Sequence, residues 1–173
     1  MRSAVLVGAS VLVLIPNIVA AQVKIGYVNA ETIIQQLPEA QDAQRQLDTL
    51  VTRWQSDLQK MQADWKQKFD DYDKKKLIMT DQTRAETERQ LAQLDQSIAA
   101  FRSQKFGQNG EMFKKQEELM KPVQDKVFKA IQDVALEEQY DFVFDKSGDI
   151  LLLYTNEQYD LTQKVLSRLQ KQK

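Results

Sequence analysis

Between Glu39 and about Met120 no proline occurs, and large apolar residues recur at steps of four and three. Leu47, Val51, Trp54, Leu58, Met61 and Trp65 keep this rhythm. Tyr72 and Met79 continue it, with Lys68 and Lys75 as interruptions and Phe69 beside the line. That spacing is a heptad seam, one apolar stripe along a helix. About 40 residues at 1.5 Å each make a helix roughly 60 Å long. A chain of 173 residues cannot wrap such a rod inside itself, so the rod must project as an arm.

The rod has to return. Lys74, Lys75 and Lys76 oppose the negative end of a helix dipole, which places a turn near Thr80. Thr83 and Glu86 fit a capping box for the returning helix, with Thr80 and Asp81 as competing caps. Leu91, Leu94, Ile98 and Phe101 form the return seam. The seam then slips: Phe106, Phe113, Met120 and Val127 are spaced by sevens but lie five residues out of step with Phe101. Gly107 and Gly110 fall at the slip. Two readings stay open there, a flexible point between Ser103 and Gly110 or a packing adjustment where the arm joins its base. Pro38 and Pro122 bracket the insertion, at positions read as helix starts.

The flanks supply a body. Val23 to Val28 reads as a short strand, with Asn29 capping the next helix. Val123, Val127, Ile131 and Val134 extend a helical stripe to about Gln139. Tyr140 to Asp145 and Ile150 to Thr155 read as two strands of a hairpin around a Gly-containing turn. Leu161, Val165, Leu166 and Leu169 mark a final helix opened by Asp160. Three strands and two short helices make too little core to stand alone. The run from Ile150 to Tyr154 is apolar on both faces, so it needs cover on both sides. Assembly of several copies answers both needs. The expected fold is α+β and mostly α: a helical hairpin over residues 39–120, its tip near 77–83, inserted in a body made of 22–38 and 121–173.

The first 21 residues match a secretory signal peptide: Arg2, an apolar run, and small residues at Val19-Ala20-Ala21 before Gln22. Cleavage would remove Arg2, the one charge before Lys24, and take the formal charge of −1 down by one. So balanced a chain does not suggest a nucleic-acid binder. It contains no cysteine and no histidine. Disulfide staples, the Ser-His and Cys-His catalytic pairs and the usual transition-metal sites are therefore excluded. Asp145, Ser147 and Asp149 do not match a calcium loop, Asp70, Asp71 and Asp73 read as a solvated face, and no phosphate-binding loop is present. No catalytic residue, cofactor or metal is expected.

Ile25-Gly26-Tyr27-Val28-Asn29, the charged hairpin, Tyr140 to Gly148 and Asp160-Leu161-Thr162 together resemble the Skp/OmpH family over the whole mature chain. The resemblance implies a periplasmic, ATP-independent chaperone of Gram-negative bacteria that holds unfolded outer-membrane proteins. It also implies a jellyfish-like homotrimer whose arms enclose a cavity. One departure is plain. Known members are strongly basic, whereas residues 66–89 carry seven basic and six acidic groups here. A lipid or lipopolysaccharide site is not carried over.

On that implication, Phe69, Leu77, Ile78, Phe106 and Phe113 either pack between helices or meet the client. Ile25, Tyr27, Phe142, Phe144, Leu151 and Leu153 are the expected oligomer contacts. The competing reading is a coiled-coil spacer or envelope tether without clients.

Overall fold

The computed structural model describes residues 23–148 and 152–171. The chain starts with strand β1 (Ile25–Val28), followed by helix α1 (Ala30–Gln35). The arm comprises α2 (Pro38–Lys75), α3 (Asp81–Phe106) and the first part of α4 (Glu111–Glu137). Strand β2 (Phe142–Asp145), a single 3-10 turn (Glu157–Tyr159) and α5 (Thr162–Lys171) complete the body.

The outgoing helix starts with Pro38 in its first turn, where proline loses no intrahelical bond. Its seam is buried at Leu47 and Trp54 and half-buried at Val51, Leu58, Met61, Trp65, Tyr72 and Met79. On the return helix Leu91 and Ile98 are buried opposite. Two helices can shield only one stripe each, so burial thins as the arm leaves the body. Thr80 is the cap of α3, accepting from the Thr83 amide at 3.2 Å. The seam slip is a true break: α3 ends at Phe106, and α4 begins four residues after Gly107 at Glu111.

Two expectations are corrected. Pro122 does not start a helix but lies inside α4. Its ring is on the exposed face, so the carbonyl one turn back, deprived of an amide partner, faces solvent rather than the core. The second correction concerns the sheet. Among the described residues β2 forms no hairpin with the run that follows it. It pairs in parallel with β1, Ile25 opposite Phe142 and Tyr27 opposite Phe144. Residues 152–156 carry no strand, while Ile150 and Leu151 lie outside the described residues, as does the expected signal peptide. Parallel strands need a long crossover, and the entire arm serves as that crossover. Gln139, with φ of 57°, turns the chain out of α4 straight into β2 alongside β1.

The core lies where the base of the arm meets α1, α5 and one face of the sheet. Ile33, Val127 and Val165 are wholly buried there, with Val28, Leu161 and Leu169 around them. Polar groups lock the strand ends to helix starts. Asn29 caps α1 through the Thr32 amide at 2.8 Å, and Asp160 accepts from the Thr162 amide at 2.8 Å. The Leu161 amide donates to the Tyr27 carbonyl at 2.9 Å and attaches the last segment to β1.

Candidate functional site

Two surfaces are candidates for function, the arm and the outer face of the sheet. At the apex of the arm the chain leaves α2 after Lys75 and re-enters helix at Asp81. Neither helix can cover what lies between. Leu77 and Ile78 are 89% and 86% exposed, the barest large aliphatic residues of the arm. Several neighbouring charges are spent locally: Lys66 pairs with Asp70, Lys68 with Asp64, Lys76 with Asp73 and Arg84 with Asp81, each within one turn, while among the described residues Lys74 and Lys75 in the last turn of α2 enter no such pair. Just below, the Tyr72 hydroxyl donates to the Glu88 carboxylate, which raises the Tyr72 pKa and ties the two helices together. The apex is therefore an apolar knob on a charge-neutral stem.

The other arm candidates divide. Phe69 is partly exposed, but one face of its ring stacks on Trp65 at 5.1 Å, and the Trp65 indole donates to the Leu91 carbonyl at 3.2 Å. Phe106 meets Trp54 edge-on at 6.3 Å and is half-buried between helices. Phe113 stands 54% exposed on α4. Phe128 and Leu136, also exposed on α4, were not singled out from sequence. They lie off the stripe formed by Val123, Val127, Ala130 and Val134, and a helical projection of that segment would have found them.

In the body, the period-two alternation of strands puts Ile25, Tyr27, Phe142 and Phe144 on one face of the sheet. Val28 and Val143 point the other way, into the core. Tyr27 is buried, its ring capped by the Lys146 ammonium at 4.7 Å. Ile25, Phe142 and Phe144 remain 47%, 58% and 37% exposed. Ile25 and Phe144, with Val23, Leu152, Tyr154 and Tyr159, line an open, largely apolar groove of about 610 Å³, and Phe142 lies outside its lining. Leu153 is almost fully exposed beside it.

The polar rim of the body is held by two aspartates. Burial pushes the Asp145 carboxyl up. Hydrogen bonds from the Ser147 hydroxyl and from the Ala30 and Ser147 amides outweigh this, and its pKa lies below the usual range. Asp160 follows the same pattern, with Thr162 and Lys146 overcoming the effect of burial. Both are structural caps. Among the described residues no cluster of acidic side chains is placed to hold a metal, and no helix is long and apolar enough to cross a membrane.

Comparison with known proteins agrees with this architecture. The family model described as outer membrane protein (OmpH-like) matches residues 24–169. The chaperone protein Skp of Vibrio cholerae serotype O1 is 28% identical over 155 residues, covering 88% of this chain and 87% of its own. A crystal structure of an OmpH-like protein from Caulobacter crescentus superposes with a TM-score of 0.72 at 13% identity. It covers 88% of this chain and 87% of that one, and at this identity it speaks for the fold.

Proposed function

The chain belongs to the OmpH-like family, whose members are chaperones and not enzymes, and on that footing we propose that it is a periplasmic holding chaperone for unfolded outer-membrane proteins. The observation that carries the reading is the bare Leu77–Ile78 apex on a projecting arm whose charges are neutralised in local pairs. An outer-membrane strand alternates apolar and polar residues over about ten positions. Unfolded, such a chain offers many short apolar segments and little else in common. Weak apolar contacts from several arms hold it through multivalency while each contact exchanges quickly. Binding the unfolded state in this way suppresses aggregation without ATP.

The arms act together if the bodies assemble. We place the assembly contact on the sheet face of Ile25, Phe142 and Phe144 with Leu153, and the assembled form is a homotrimer; of the other expected contacts, Tyr27 is buried within the subunit and Leu151 lies outside the described residues. What supports this is the exposed apolar groove beside a core too small for its arm, and a β2 edge with no strand partner among the described residues. Export by cleavage of residues 1–21 delivers the chain to the periplasm.

The test is aggregation of a urea-diluted outer-membrane β-barrel, followed by light scattering, with purified 22–173 titrated in and nucleotide absent. Suppression that saturates near three chains per client is expected. A well-folded oligomer that suppresses nothing at any ratio would overturn the reading in favour of a spacer or tether.

A further inference from the structure

The arm has one weak cross-section. α2 runs unbroken from Pro38 to Lys75, whereas the return rail is cut between α3 and α4. The cut has a defined geometry. Asn109 takes a left-handed conformation, φ 61°. A Cβ on Gly107 would lie 2.3 Å from the Ser103 carbonyl oxygen, so no other residue fits there without movement.

Side chains from all three helices converge on this cut. Lys105, near the end of α3, brings its ammonium within 2.5 Å of the Glu111 carboxylate, the first residue of α4. The same ammonium stands 5.1 Å from the ring centre of Trp54 on α2 and 5.8 Å from that of Phe101 on α3. Gln104 donates to the other Glu111 oxygen at 3.0 Å, and Phe106 closes edge-on against Trp54. Glu111 also sits at the positive end of the α4 dipole. Among the described residues, the other ion pairs along the arm from Asp57 to Glu118 join residues three or four apart. They stiffen single turns. Among these ion pairs, the Lys105–Glu111 bridge joins one helix to the next.

We propose that this cluster is a latch: the Lys105–Glu111 bridge, seated on Trp54, locks the α3–α4 joint, and its opening lets α3 and the arm tip shift on the α2 spine. Lys105 keeps 17% of its side chain exposed and Glu111 36%, so salt reaches the bridge and weakens it in part, less than it would a fully exposed pair. Ionic strength thereby biases how often the joint is released. The inference does not depend on the chaperone reading, because the joint can be tested with no client present.

The experiment is amide hydrogen exchange, read by mass spectrometry, on the full mature oligomer at low and high salt. Opening the latch by Glu111→Gln or Lys105→Met should speed exchange across residues 104–113 by about two- to five-fold, the range of a partly exposed ion pair. Exchange along Leu91 to Phe101 should not change, and high salt should act on the parent but not on these variants. The charge swap, Lys105→Glu with Glu111→Lys, should exchange more slowly than either single reversal, since only the pair restores the bridge. Equal exchange in parent and variants would overturn the latch. So would a rise spread evenly over α3, which would mean general loosening of the helix, or a swap no better than its single reversals.

Discussion

Replacing Leu77 and Ile78 together with serine separates holding from folding. Both side chains are almost wholly in solvent, so their removal takes nothing from the core. Stability should change by no more than about 0.5 kcal/mol, as for exposed positions without special contacts. Client affinity is another matter. Full burial of a leucine or isoleucine side chain contributes about 1.5–3 kcal/mol. A loose contact that covers a third of each yields about 1–2 kcal/mol per apex. With the three apices of the proposed trimer engaged only part of the time, a loss of at least about 1.4 kcal/mol is expected, a tenfold weaker dissociation constant. The assay is fluorescence titration of a labelled, urea-diluted outer-membrane protein, with sedimentation and circular dichroism showing that the variant assembles and melts as the parent does. Unchanged affinity in a properly assembled variant would remove the apex from the binding surface and leave Phe69 and Phe113 as the exposed aromatics to test.

The assembly face gives a second test. Phe142→Asp places a charge on a residue that is 58% exposed in one copy, so the subunit should keep its helices while sedimenting as a smaller species. Ile33→Ala, in contrast, empties a fully buried position and should lower stability by about 2–5 kcal/mol in urea titration, with no effect on assembly at low denaturant. Acid should loosen the body. Asp145 and Asp160 have folded pKa values below the unfolded ones, so their contribution is present at neutral pH. It is lost as pH falls through the folded values, below the ordinary carboxylate range. Asp145→Asn should flatten the acid limb of a stability–pH profile and lower the plateau at neutral pH.

The arm was legible in the sequence because its determinants are local. A heptad seam from Leu47 to Trp65 is a property of one helix, and the slip at Phe106 with Gly107 and Gly110 marked the place where the return helix breaks. Asn29 and Asp160 could be named as caps because a cap acts within three residues, whereas for α3 the capping box of Thr83 and Glu86 gives way to its competitor Thr80, three residues earlier. The sheet was not legible. Ile25 pairs with Phe142 across the whole arm, and nothing in either four-residue strand records the direction of its partner. Two adjacent apolar runs around Gly148 suggest a hairpin from sequence alone. The parallel ladder wins because the end of α4 delivers β2 beside β1, where the Asp141 amide already meets the Lys24 carbonyl at 2.8 Å. Pro122 misled for a related reason. Proline at the first turn of a helix is a tendency that tertiary context can override, and here packing of Val123 and Val127 into the core holds the helix through it.

The same contrast explains why the body and the arm use different interactions. In the body, long-range polar ties such as Lys126 to Glu39 and Arg168 to Glu137 connect segments distant in sequence around a compact apolar centre. In the arm no such centre exists beyond Trp54. Charges are instead consumed between neighbours on single helices, leaving the stem almost neutral and its aliphatic apex uncovered. A stem with strong net charge would steer partners by sign and would hold acidic and basic chains unequally. A neutral stem with an apolar apex responds to the one property unfolded barrel proteins share, their exposed alternating hydrophobicity. The departure from a basic surface is thus consistent with holding and shifts the burden of recognition from charge to contact. That shift is why the serine substitutions at Leu77 and Ile78 are the decisive test.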